Sequence, residues 1–109
     1  MKLDLGQKLA ARDKYLRKKY GLTLEQYTQM LVYQNYCCAL CEKLPKRGQS
    51  LRVDHEHKRK GHPEDTGRVR GLLCLFCNWK RVGRNRAEHA YIYDNMAAYL
   101  SSDFDGRKL

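Results

Sequence analysis

The chain has 109 residues, room for one hydrophobic core and too few for two. Its 22 Lys and Arg against 12 Asp and Glu leave a formal charge of +10, which suits a polyanionic partner, nucleic acid first, although the same charge would also serve solubility alone. No stretch approaches the roughly 18 apolar residues of a membrane span, and the opening MKLDLGQKLA lacks the apolar centre of a signal peptide, so the expected compartment is the cytoplasm.

Residues 7–20 read as a basic helix with Leu9, Leu16 and Tyr20 on one stripe and Gly21 as its stop. Charge concentrates here: residues 1–20 hold seven cations and two acids. Thr23-Leu24-Glu25-Gln26 then has capping-box form, with Leu22 and Tyr27 placed as a hydrophobic staple. It opens a helix over 24–35 that buries Leu24, Tyr27, Met30 and Leu31. Pro45, Gly48, Gly61, Pro63 and Gly67 punctuate the middle and leave two short strand candidates, 50–55 and 68–73, which form a hairpin with a long connection. A helix is expected from Cys74 to Val82, and a last one over 86–101 with Ile92, Met96, Tyr99 and Leu100 on its apolar stripe. The tail SSDFDGRKL is expected to fray. The reading is one small α+β domain over 1–109: a basic helical extension (1–36), a central hairpin-and-helix core (37–84) and a C-terminal helix with its tail (85–109).

Cys38-Ala-Leu-Cys41 and Cys74-Leu-Phe-Cys77 are two C-x-x-C knuckles, each able to offer two thiolates to one tetrahedral zinc ion. In a reducing compartment a disulfide framework is not expected, and two such pairs in one small basic chain fit metal better than redox chemistry. Four thiolates fill the coordination shell, so this zinc would be structural. Cys37 lies one residue outside the spacing and is assigned as a small hydrophobe beside the knuckle. Thirty-two residues separate Cys41 from Cys74, an insertion that zinc would close at its base.

Within that insertion stands Val53-Asp54-His55-Glu56-His57, and Asn78 follows the second knuckle. Phosphodiester hydrolysis needs a base to activate water and a hard cation to stabilise developing charge. His55 suits the base, while Asp54 and Asn78 carry oxygens suited to Mg²⁺ or Mn²⁺. On a helix Cys74 and Asn78 share a face, so the zinc would aim Asn78. Strict strand alternation would separate Asp54 from His55, so the strand is expected to end near residue 55.

The order CALC, VDHEH, GRVRGLLCLFCN, preceded by YGLTLEQYTQML, resembles the phage recombination endonuclease VII family of ββα-metal (His-Me finger, HNH-like) nucleases over roughly residues 20–100. The resemblance implies a ββα-metal core and a metal-dependent DNA endonuclease. It implies His55 as general base, His57 assisting at the phosphate, Asp54 and Asn78 holding the catalytic Mg²⁺ or Mn²⁺, and Cys38, Cys41, Cys74 and Cys77 holding structural zinc. The sequence departs from the family pattern in two places: no asparagine lies between His57 and Asn78, and Arg81 stands where some relatives carry an acid.

Lys58, Arg59, Lys60, Arg68, Arg70, Lys80, Arg81 and Arg84 flank these motifs and are assigned to DNA phosphates. His62 and His89 are assigned as structural, and Trp79 to packing, with base stacking as its alternative role. The rival function is a non-catalytic zinc-ribbon protein that grips nucleic acid without cutting it; a zinc-stapled protein adaptor would not need the clustered cations. The sequence leaves open whether the chain forms a homodimer.

Overall fold

The computed structural model describes residues 3–82 and 94–109. Asp4 opens helix α1 (Leu5–Tyr20) with a reciprocal capping box: its carboxylate accepts from Gln7 N at 2.7 Å while Gln7 Oε1 accepts from Asp4 N at 2.9 Å. The expected stripe is about two turns too long, since Leu16 is fully buried and Tyr20 half-buried but Leu9 is 47% exposed. Gly21, at φ 67°, supplies the left-handed residue that ends α1. Asp13 then ties α1 to the next helix by accepting from Leu24 N at 2.8 Å.

Helix α2 (Leu24–Tyr33) starts at the Thr23 capping box, Thr23 Oγ1 accepting from Gln26 N at 3.0 Å and Gln26 Oε1 from Thr23 N at 2.9 Å. Tyr27 and Met30 are buried, and Leu24 and Leu31 pack half-buried against the same core. It stops short of the expected residue 35 because Asn35 and Tyr36 turn left-handed, at φ 54° and 61°.

Strands β1 (Arg52–His55) and β2 (Val69–Leu73) pair antiparallel, with Val53 opposite Leu72 and Asp54 opposite Gly71. His55 faces Val69, so the register slips at Arg70, a bulge of the kind that re-aims side chains. β2 is buried along its whole length, and its Val69, Leu72 and Leu73 join Leu16, Leu22, Met30, Leu51, Val82 and Met96 in the core. The long connection is ordered from within by Glu56, whose Oε1 accepts from Thr66 N at 2.7 Å and Gly67 N at 3.2 Å.

The helix expected over 74–82 forms its regular part as a π-helical turn (Cys77–Val82). Cys74 occupies its entry: Cys77 N donates to Cys74 Sγ at 3.4 Å and Asn78 N to Cys74 O at 2.9 Å, so the sulfur competes for an amide that would otherwise join the backbone ladder. Helix α3 (Asp94–Ser101) carries Met96 and Leu100 into the core. The first part of the helix expected over 86–101, with Ile92, lies outside the described residues, as do Arg84 and His89.

The tail does not fray. A 3₁₀ turn (Gly106–Lys108) follows Asp105, whose buried carboxylate accepts from Val69 N at 3.1 Å and from the Arg107 guanidinium at 2.7 Å. Gln26 Nε2 donates to Arg107 O at 2.7 Å, and Arg68 donates to Leu100 O at 2.7 Å and Phe104 O at 3.0 Å. Gly106 lies so close under Met30 that a Cβ there would collide with it, and would also press on Val69. Partners on α2 (the Gln26 side chain) and β2 (Val69 N), invisible in the polar composition of the tail, hold it down.

Candidate metal centre and histidine cleft

The Sγ atoms of Cys38, Cys41, Cys74 and Cys77 lie within 4.8 Å of one another. Two loops bring them together. Cys38 N donates to Lys43 O at 2.9 Å and Leu40 N to Cys38 Sγ at 3.4 Å, closing the first knuckle; Cys77 N to Cys74 Sγ repeats the motif in the second. Ala39 N donates to Leu72 O at 3.0 Å and fastens the first knuckle to β2. Burial pushes the Cys41 and Cys77 thiols up, most strongly at Cys77. It acts in the same direction on Cys38, but backbone N–H donors outweigh it and leave that thiol lowered. Four crowded sulfurs with opposed proton affinities are the donor set that a soft tetrahedral cation unites, so zinc fits here. Cys37 is half-buried and stands outside the cluster.

His55 ends β1 and its ring lies edge-on to Tyr20, with centroids 5.1 Å apart, and 4.7 Å from the ring of His57. The strand thus ends where expected, and both histidines line one cleft of about 420 Å³ with Lys19, Tyr20, Lys58 and Arg107. Burial first, and then His57, hold the His55 imidazole below its ordinary value, against the pull of Asp54. Lys19, Tyr20 and Arg107 enter this cleft from opposite ends of the chain. The cationic run of α1 was the visible hint of Lys19, and nothing in the sequence pointed to Arg107.

Asp54 faces another way. Its carboxylate is 3% exposed, held by Arg70 Nε at 2.9 Å and Nη2 at 3.0 Å, while Tyr99 Oη donates to it at 2.7 Å. Burial, and then Asp54, raise the Tyr99 hydroxyl well above its usual value. Arg70 already neutralises Asp54, so a divalent cation does not fit at Asp54 in this arrangement. Asn78 is half-buried on the π-helical turn beside Cys77. No hydrogen bond joins its side chain to Asp54 or His55 among the described residues.

The expected DNA-facing cations divide three ways. Lys58 borders the histidine cleft, Lys60 is exposed on the connection, and Lys80 and Arg81 line a second groove beside the knuckles. Arg59 is bound to Asp65, with Nε to Oδ2 at 2.7 Å, and Arg68 to backbone carbonyls of α3 and the tail. Arg70 is 4% exposed against Asp54, so it serves the interior and is not available to phosphate. Trp79, assigned to packing, is instead 70% exposed, because the π-helical turn that bears it directs Cys77 and Val82 inward. His62 pairs with Glu64 at 2.9 Å on the surface.

None of the described helices is long and apolar enough to cross a membrane. Residues 13–102 match the family model for recombination endonuclease VII. The chain is 39% identical over 64 residues to the Gene 59 protein of Mycobacterium phage L5, covering 59% of this chain and 35% of that protein. It is 41% identical over 59 residues to the Gene 59 protein of Mycobacterium phage D29, covering 54% of this chain and 32% of that one. The alignments thus span about a third of the length of these curated relatives. No solved structure gives a match.

Proposed function

Because this chain belongs to the recombination endonuclease VII family, we propose that it is a DNA endonuclease of the ββα-metal, HNH-like kind, acting as one domain that hydrolyses phosphodiester bonds. The observation that carries the proposal is His55: a half-buried imidazole, its proton affinity lowered, in a cleft rimmed by Lys19, Lys58 and Arg107. Neutral His55 takes a proton from water; the water oxygen bonds to phosphorus, and the leaving sugar oxygen departs with its electron pair and is protonated by solvent. His57, in ring contact with His55, is assigned to the scissile phosphate. Lys19 and Lys58, with Lys60, Lys80 and Arg81, hold the flanking backbone. Zinc at the four cysteines supplies rigidity alone.

The proposal includes dependence on Mg²⁺ or Mn²⁺, with Asp54 and Asn78 as the oxygen donors. Asp54 becomes available to a cation only when Arg70 or Tyr99 releases it. That same engagement favours the second reading, a nucleic-acid binder without cleavage. A supercoiled-plasmid assay with Mg²⁺, Mn²⁺ or EDTA separates the two. Cutting that needs the cation supports the nuclease, and tight binding without a nick supports the binder. His55→Ala is expected to keep zinc, fold and DNA affinity while losing cleavage by roughly 10²-fold or more. If it cuts as fast as the parent, with contaminating nuclease excluded, the assignment of the base is wrong.

A further inference from the structure

Beside the knuckles lies a second groove of about 540 Å³, remote in role from the histidine cleft and sharing no lining residue with it. Its apolar walls are Leu44, Phe76 and Trp79, which are 68%, 56% and 70% exposed. Its cations include Lys43, Lys46 and Lys80, all exposed, and among the described residues no carboxylate lines it. Lys80 Nζ sits 4.2 Å from the Trp79 ring centroid, so one indole face carries an ammonium while the ring stays mostly open to solvent.

We propose that this groove binds an unpaired nucleotide, its base stacked on Trp79 and Phe76 and its neighbouring phosphates held by Lys43, Lys46 and Lys80. Solvent-facing aromatic rings interleaved with lysines match the alternation of π-face and phosphate along a single strand. A duplex keeps its bases inside the stack and offers such rings no face to cover. A second copy of the chain is a poor occupant, because a symmetric contact through this groove would set its lysines against the same lysines of the partner, on a molecule of formal charge +10. The proposal rests on DNA being the substrate but not on any chemistry at His55.

The chain holds a single tryptophan, so its emission reports on this groove alone. The zinc-loaded full chain, without added Mg²⁺ or Mn²⁺, is titrated with a twelve-residue oligothymidylate and with a blunt duplex of matched length at low salt, following Trp79 emission and the anisotropy of labelled DNA. The single strand should quench the emission and the duplex should bind without quenching. Phe76→Ala should weaken the single strand about tenfold, the scale for loss of one stacking partner, and leave duplex affinity within about twofold. Zinc content and melting temperature check that the variant folds; should it not, Leu44→Ala repeats the comparison. Four results would overturn the proposal: unchanged emission at saturating single strand, equal losses on both DNAs, emission that varies with protein concentration in the absence of DNA, or quenching by an oligoglutamate peptide as strong as that by DNA. A chain that cuts plasmid but shows no quenching loses this groove and keeps the nuclease reading, and quenching without cutting gives the reverse.

Discussion

Asp105 decides whether the last residues of the chain belong to the fold. Burial alone would push its carboxyl up, but donations from Arg107 and from Val69 N outweigh that and hold it below the ordinary carboxylate value. A carboxylate lowered on folding contributes stability in full above its unfolded value near 3.9, and this is lost as pH falls through the lower folded value. Melting temperature should therefore drop from pH 5 to pH 2.5, and Asp105→Asn should be less stable at pH 5 with a flatter acid limb. An Asp105→Asn melt that tracks the parent at every pH would show that the tail contributes nothing. Asp54 is a contrasting case. Buried against Arg70 and Tyr99, it reads as an ion pair whose single partners cannot be removed cheaply: Arg70→Ala should cost about 3–5 kcal/mol in urea unfolding, because it strands a buried charge.

At the scale of elements, the knuckles act as the base of the hairpin. Ala39 binds β2 on one side and Cys74 follows β2 directly on the other, so a cation joining the sulfurs would also fix both ends of the 32-residue connection. Cys41→Ser and Cys77→Ser should lose zinc and unfold, whereas Cys37→Ser should retain one zinc per chain and a cooperative melt. Metal analysis by plasma mass spectrometry alongside circular dichroism checks both. A requirement for Cys37 in place of Cys38 would contradict the sulfur cluster. Gly71 on β2 shows how tightly the elements seat: its missing side chain leaves room for the Tyr99 ring, which would stand 2.9 Å from a Cβ placed there. That close approach lets α3 reach Asp54 across the sheet.

Among the described residues, Lys19, Lys58 and Arg107 line the histidine cleft and Lys43, Lys46, Lys80 and Arg81 line the knuckle groove. If the six of these other than Arg107, whose guanidinium is bound to Asp105, neutralise phosphates, log affinity for duplex DNA should fall against log salt with a slope of about −5, at roughly −0.9 per phosphate. Anisotropy between 50 and 200 mM NaCl measures it. Replacing one cleft lysine by glutamine should reduce the slope by about one. A slope near zero with a strong single recognition sequence would argue for base reading in place of backbone tracking.

The stop of α1, the start of α2, the hairpin and the pairing of the knuckles were legible in the sequence because each is decided within a few residues. Thr23 caps its own helix, Gly21 ends its own, and C-x-x-C sets two sulfurs on one turn. The histidines were legible as neighbours in one short motif, while their ring contact lies beyond the end of β1, where strand alternation no longer applies. What only the tertiary structure decided is what stands opposite each side chain. Asp54 meets Tyr99 from 45 residues away, and Val69 N meets Asp105 from 36 away. Arg68 and Arg70 turn inward to serve such partners, and Trp79 is left mostly in solvent, with the Lys80 ammonium over one face of its ring. Local spacing states which way a side chain points along its own element. The identity of its neighbour depends on how distant elements pack, and that is settled by the burial of the whole core.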